Sequence, residues 1–310
     1  VRRAWPWLRL VGAVGILVAL GRQWGAEAFV AGLRAVDGRA VAAALGIGLV
    51  TTVASAWRWC LIARRLGLPL TLGTAVSDYY RGLLLNAVLP AGVLGDVHRA
   101  VSHGRQSGDV ARGVRAVVFE RAAGQVVLVV LGVAVLCTGS LPIDLPGLGV
   151  LPVALLPLAG LSPRVRRAVR TTWADARTGL LNREVLPKVT LLSTAVLAGH
   201  VALFVVAARA AGTGAPITSL VPLAVLALLV MAVPLNVGGF GPREAFLAVA
   251  FGAAGLGAAQ GLTTGVVYGV LALISSLPGI FTLVRWPSEH RQVRPERLDQ
   301  RREHVPTLVG

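Results

Sequence analysis

Apolar positions in this chain gather into long runs with few polar interruptions, near residues 5–20, 41–62, 113–137, 147–161, 189–208 and 262–284. Each is about long enough to cross a hydrocarbon core of roughly 30 Å as a helix. Two further runs, about 70–98 and 219–250, are broken where they should continue. The first break reads Leu89-Pro90-Ala91-Gly92-Val93-Leu94-Gly95-Asp96-Val97-His98-Arg99, and the second reads Val233-Pro234-Leu235-Asn236-Val237-Gly238-Gly239-Phe240-Gly241-Pro242-Arg243-Glu244. In both, glycine follows proline by five positions and arginine by nine, and the two copies lie 144 residues apart. Proline removes a helix donor and glycine permits tight turns. The pattern therefore predicts two helical hairpins, with Pro90, Gly92 and Gly95 shaping the first and Pro234, Gly238, Gly239 and Gly241 the second.

The same shift carries 5–20 onto 149–164, 41–62 onto 185–206 and 113–137 onto 257–281, all of them apolar runs. The expected fold is an all-α polytopic membrane protein of six full spans plus two re-entrant hairpins. Its two halves cover about 5–140 and 147–284, within a membrane domain of residues 1–286. A basic loop at 162–188 joins them, and the polar, proline-containing segment 287–310 reads as a disordered tail. The first run has no small-residue cleavage site after it, so it reads as a retained span.

Composition agrees: 55% of residues are hydrophobic and the mean hydropathy is +0.73. The net charge of +16 would suit nucleic acid, but the arginines flank apolar spans, as the positive-inside rule requires. No nucleic-acid partner is expected. If the broken runs enter and leave on one face, the N-terminus and segments 63–69, 99–115, 162–188 and the tail together hold 22 Lys or Arg, against four in the opposite loops. If they cross fully, the count becomes 12 against 14. The hairpin topology is preferred, with both termini cytoplasmic and the two halves inverted relative to one another. Paired broken helices in inverted halves are a sign of a transport site. Residues 164–177 alternate apolar and arginine positions at helical spacing. They read either as an interfacial helix on anionic headgroups or as an ordinary connector.

Charged residues within the broken runs and spans supply the candidate chemistry. Arg81, Arg121 and Arg243, with Asn86 and Asn236, are suited to an anionic headgroup, because guanidinium donates two parallel hydrogen bonds to phosphate. Arg58, between Trp57 and Trp59, reads as snorkelling to the interface. Asp78, Asp96, Glu120 and Glu244 match these four arginines in number. Neighbours such as Glu120 and Arg121, or Arg243 and Glu244, do not face one another on a helix, so pairing is expected between elements. Cys60 and Cys137 read as packing residues, and His200 as a packed or hydrogen-bonded one. No soluble catalytic motif, metal cluster or cofactor signature is found, and no metal or cofactor is expected.

Arg58-Trp59, Asn86-x-x-Leu89-Pro90, Gly95-Asp96-x-x-Arg99, Phe119-Glu120-Arg121 and Gly238-Gly239-x-Gly241-x-Arg243-Glu244, in this order, resemble the lysylphosphatidylglycerol synthase transmembrane, or flippase-like, family over residues 5–285. Members fused to a cytoplasmic aminoacyl transferase domain make an aminoacylated phospholipid, and their membrane part is regarded as moving it between leaflets. The transferase domain has no counterpart in this sequence, so the resemblance implies only the lipid-moving role. The expectation is an inner-membrane transporter of an anionic or phosphate-bearing lipid, aminoacylated or glycosylated forms included. Arg81, Asn86, Asp96, Arg99, Glu120, Arg121, Asn236, Arg243 and Glu244 would form its substrate site. Two alternatives stay open. One is a membrane-embedded transferase using a lipid-phosphate donor, with Asp96 or Glu120 as base. The other is a noncatalytic membrane partner of a separate cytoplasmic enzyme.

Overall fold

The computed structural model describes residues 26–88, 93–138, 163–232 and 242–284. The runs near 5–20 and 147–161, the expected hairpin tips at 89–92 and 233–241, and the segment after 284 lie outside the described residues. So do Pro90, Gly92, Pro234, Asn236, Gly238, Gly239 and Gly241.

Every regular element among the described residues is helical. The first half holds α1 (Ala26–Arg34), α2 (Gly38–Arg65), α3 (Leu72–Val88), α4 (Leu94–Gln106) and α5 (Val110–Cys137). A connecting helix, α6 (Pro163–Gly179), is followed by α7 (Leu186–Ala210), α8 (Ile217–Ala232), α9 (Pro242–Ala253), α10 (Ala258–Ser276) and α11 (Gly279–Val284). Local sequence sets the ends of the longest helices. Asp37 caps α2 by accepting from Ala40 N at 2.8 Å, and Asp109 caps α5 by accepting from Arg112 N at 2.9 Å. Arg64 and Arg65 in the last turn of α2 complement its dipole. Four helical segments, Gly38–Arg65, Val110–Cys137, Leu186–Ala210 and Ala258–Thr282, are long and apolar enough to cross a membrane. They correspond to four of the six apolar runs.

Segment 99–115, expected as a loop, is instead mostly helix: α4 runs to Gln106 and α5 begins at Val110. Gly108, at φ 78°, makes the turn between them. Arg105 and Arg112 are exposed there, whereas Arg99 is buried.

The helices repeat in order and in neighbours. A shift of 144 residues places α2 to α5 on 182–209, 216–232, 238–250 and 254–281, close to α7, α8, α9 and α10. Packing of α3 on α4 recurs as α8 on α9, and α4 on α5 as α9 on α10. Across the halves, α5 packs on α8 as α10 packs on α3, while α2 and α7 pack on each other. Small residues allow these close approaches. A Cβ on Gly199 of α7 would lie 2.2 Å from Thr51 Cγ2 of α2. Gly95 brings α4 against α3 so tightly that a Cβ there would lie 2.0 Å from Gly82 O.

The outward faces are apolar, with Val130 64% and Leu191 70% exposed, while Arg58, Arg99, Arg243, Glu120 and Glu244 are buried. This arrangement suits a lipid surround, where charge is tolerated only when it faces protein or a polar cavity. Cys60 is buried as expected, but Cys137 is exposed at the end of α5. Its side chain is left uncovered at the last residue of the helix.

Candidate functional site

Helices from both halves enclose a cavity of about 270 Å³. The α2 wall supplies Gly48, Thr51, Thr52, Ser55 and Arg58, which fall on one helical face. Tyr79 and Asn86 come from α3, Arg121 from α5, His200 from α7, Met231 from α8, Arg243 from α9, and Ser275 and Ser276 from α10. The charged groups on the wall are therefore three guanidiniums. Among the described residues, no carboxylate lines the cavity.

The carboxylates stand behind the wall and hold the arginines in place. Glu120, fully buried, accepts from Arg58 Nε at 3.1 Å, Arg99 Nη2 at 2.6 Å and Tyr79 Oη at 3.2 Å. Asp96 accepts from Arg99 Nε at 3.0 Å, Arg121 Nη2 at 2.7 Å and Asn86 Nδ2 at 3.2 Å. The Asn86 carbonyl oxygen also accepts from Gly95 N at 2.7 Å, tying α3 to the start of α4. Arg58 Nη1 donates to Ser193 Oγ at 2.9 Å and so links α2 to α7. Arg99 lies over the rings of Tyr79 and Trp59, 4.4 and 4.8 Å from their centroids. His103, edge-on to Trp59 at 5.4 Å, is held below its ordinary pKa by burial.

In the second half, Arg243 stands 144 residues after Arg99 and, like it, lies over an aromatic ring, 5.0 Å from the Tyr268 centroid. Its guanidinium donates to the adjacent Glu244, with Nε 3.0 Å from Oε1. This overturns the expectation that neighbours on a helix do not pair. The two residues occupy the first turn of α9, where the long arginine side chain curls back onto its neighbour. Glu120 follows the expectation: it is bound by arginines from α2 and α4.

Three other readings change. Arg58 does not snorkel. Its side chain is 5% exposed, ion-paired to Glu120, and part of the cavity wall. Trp57 on the neighbouring face is the exposed tryptophan, and Trp59 is buried. Arg99 belongs to the buried network, so five buried or partly buried arginines (58, 81, 99, 121 and 243) now meet four carboxylates (78, 96, 120 and 244). Arg81 is not brought to the cavity. It pairs with Asp78 at 2.8 Å and donates to the Thr282 carbonyl at 2.9 Å, pinning α3 to α11.

Of the predicted site residues, Asn86, Arg121 and Arg243 reach the cavity, while Asp96, Arg99, Glu120 and Glu244 support it from behind. Gly95 lets the start of α4 lie against α3. Arg58, Tyr79, Ser193 and the hydroxyls of α2 and α10 are additions to the sequence reading. The α2 stripe from Gly48 through Arg58 was the available signal for them. His200 both lines the cavity and approaches Tyr268 Oη at 3.4 Å. Of the three wall arginines, Arg121 is the accessible one: its side chain is 43% exposed, and its Nε has no hydrogen-bond partner among the described residues.

Comparison with curated proteins finds no match, and neither does comparison with solved structures. The profile of the family described as lysylphosphatidylglycerol synthase TM region matches residues 7–279, a span that takes in the four long helices, the described arms of both broken runs and every residue of the cavity wall. With that match over most of its length, and its membrane-spanning helices around a polar interior, the chain belongs to the lysylphosphatidylglycerol synthase TM region family of membrane proteins.

Proposed function

We propose that this protein moves an anionic, phosphate-bearing lipid between the leaflets of the cytoplasmic membrane. The observation that carries the reading is the cavity, walled by Arg58, Arg121 and Arg243 from both halves and lacking a carboxylate among its described lining residues. Held in a low-dielectric surround, three guanidiniums favour an anion strongly: two unit charges 4 Å apart attract by about 4 kcal/mol at an effective dielectric near 20. Among the described residues, Arg58, Arg99 and Arg121 share two carboxylates, Glu120 and Asp96, an excess of one positive charge that a headgroup phosphate would balance.

Size supports a headgroup site. About 270 Å³ lies just under the range of roughly 300–1,000 Å³ typical of small-molecule sites, too small for acyl chains. The tails would stay in the bilayer while the headgroup crosses. In this account α3–α4 and α8–α9 are re-entrant hairpins in two inverted halves, the termini are cytoplasmic, and rocking of one half against the other about the α2–α7 contact exposes the cavity to each leaflet in turn. A transferase reading is less well supported. Asp96 and Glu120, the candidate bases, each accept from three donors, two of them guanidinium, and neither lines the cavity where a substrate would sit.

The test is reconstitution of the purified chain into vesicles with a trace of tail-labelled phosphatidylglycerol, followed by quenching of the outer leaflet. Protein-bearing vesicles should lose label from both leaflets, and Arg243→Ala should slow that loss at least tenfold. Crossing no faster than in protein-free vesicles would rule the reading out.

A further inference from the structure

The basic connecting helix α6 supplies nothing to the cavity wall, and its two faces differ sharply. One face is fixed to the bundle. Gly179 lies against the end of α2, where an added Cβ would stand 3.1 Å from Leu66 Cδ2 and 3.8 Å from Ile62 Cγ2. Ala176 and Leu180 pack on the apolar cluster that holds Trp59, Ile62 and Leu66. Asp175 pairs with Arg115, near the start of α5, at 2.5 Å. Both α2 and α5 are long enough to cross a membrane, so these contacts set α6 at the level where two spans leave the hydrocarbon.

The opposite face is open. Arg170, Trp173, Ala174 and Arg177 follow one another at spacings of three and four, with Leu181 continuing the row just past the helix end, and all five are exposed. Trp173 is 60% and Leu181 44% exposed. A connector facing water would carry polar residues there. Large apolar side chains set between guanidiniums instead suit the headgroup layer, where the rings and alkyl groups sink below the phosphates and the cations stay level with them. The nearby acids leave this charge uncompensated, because Asp175 is held by Arg115 and Glu184 by Arg65. The sequence of α6 adds Arg164, Arg166 and Arg167. We propose that this face of α6 is a binding surface for the anionic lipids of the adjoining leaflet, separate from the cavity and independent of whether lipid crosses there. The hairpin topology makes that leaflet the cytoplasmic one. Arg170 and Arg177 stand two turns apart, about 10 Å along the axis, so they engage different headgroups and read the charge of the surface.

Trp173 is its own probe. The full-length protein is reconstituted into phosphatidylcholine vesicles containing a fixed minor fraction of either phosphatidylglycerol or phosphatidylcholine brominated on the acyl chains close to the headgroup. Bromine quenches tryptophan at contact, and subtracting the signal of Trp173→Phe isolates this residue from the other tryptophans, those near the cavity included. Brominated phosphatidylglycerol should quench Trp173 several-fold more than brominated phosphatidylcholine, since each arginine at an anionic surface is worth about fivefold in local lipid preference. The double variant Arg170→Gln/Arg177→Gln should lose most of that preference, and Arg170→Lys/Arg177→Lys should keep it. Raising the salt concentration should weaken it in the wild type. Absence of Trp173 quenching by either lipid overturns the proposal and leaves the face to an acidic protein partner. Equal quenching by the two lipids, or a preference that survives Arg170→Gln/Arg177→Gln, overturns the assignment of anionic lipid to these arginines.

Discussion

Glu120→Gln removes the charge that holds two buried arginines while leaving the side chain's shape nearly intact. In the wild type, Glu120 is fully buried and binds Arg58, Arg99 and the Tyr79 hydroxyl. Deleting one partner of a buried ion pair costs about 3–5 kcal/mol, because the remaining charge is left uncompensated. Here two guanidiniums lose that partner, although Arg99 keeps Asp96 at 3.0 Å and Arg58 keeps Ser193 at 2.9 Å. Those retained contacts argue for the stated range and not for twice it. At about 2 °C per kcal/mol for a chain of this size, the melting midpoint should fall by roughly 6–10 °C. Exposure of buried Cys60 to a thiol-reactive dye during heating in detergent reports the transition. Glu184→Gln is the control, since its pair with Arg65 is exposed and worth about 0–1 kcal/mol. A Glu120→Gln protein that melts with wild type, or no lower than Glu184→Gln, would refute the reasoning.

Three further outcomes follow from the same geometry. Gly95→Ala would set a Cβ 2.0 Å from Gly82 O, backbone that cannot yield locally, so α3 and α4 must separate at a cost of about 1–3 kcal/mol or more. Gly73→Ala, with nothing within 4 Å, should be neutral or slightly stabilising in the same melting assay. Arg81→Ala should lower the melting midpoint by loosening α3 from α11, yet slow lipid crossing far less than Arg121→Ala does. Equal losses of crossing in the two would contradict the placement of Arg81 away from the cavity. A membrane-impermeant maleimide applied to intact cells should label Cys137, because the hairpin topology puts the end of α5 outside. Labelling only after lysis would favour full crossing by 70–98 and return that end to the cytoplasm.

Run length made the four long helices legible, since a bilayer core asks for a fixed number of consecutive apolar residues. The repeat was legible because proline, glycine and arginine kept their spacing through both halves. Which charges meet was not. Arg58 and Glu120 are 62 residues apart, and nothing in the local pattern says which face of α2 turns inward. The flanking tryptophans imitate an interfacial belt, so Arg58 was placed at the membrane surface, although Trp57 and Trp59 point to opposite environments. Arg99 is an exception to the counting rule used to orient the chain. Positive-inside counting treats an arginine outside an apolar run as a loop residue, and a buried ion-pair network breaks that assumption. Arg243 and Glu244 show a third limit, because helix-face rules describe mid-helix positions and lose force in the first turn.

Headgroup passage through the cationic cavity is the central claim, and one vesicle experiment bears on it most directly. Labelled phosphatidylglycerol is followed across leaflets with wild type, Arg121→Ala and Arg81→Ala at equal protein density, each variant checked by its melting midpoint. The account predicts crossing with wild type, at least a tenfold loss for Arg121→Ala, and crossing within about threefold of wild type for folded Arg81→Ala. Undiminished crossing with folded Arg121→Ala would contradict it.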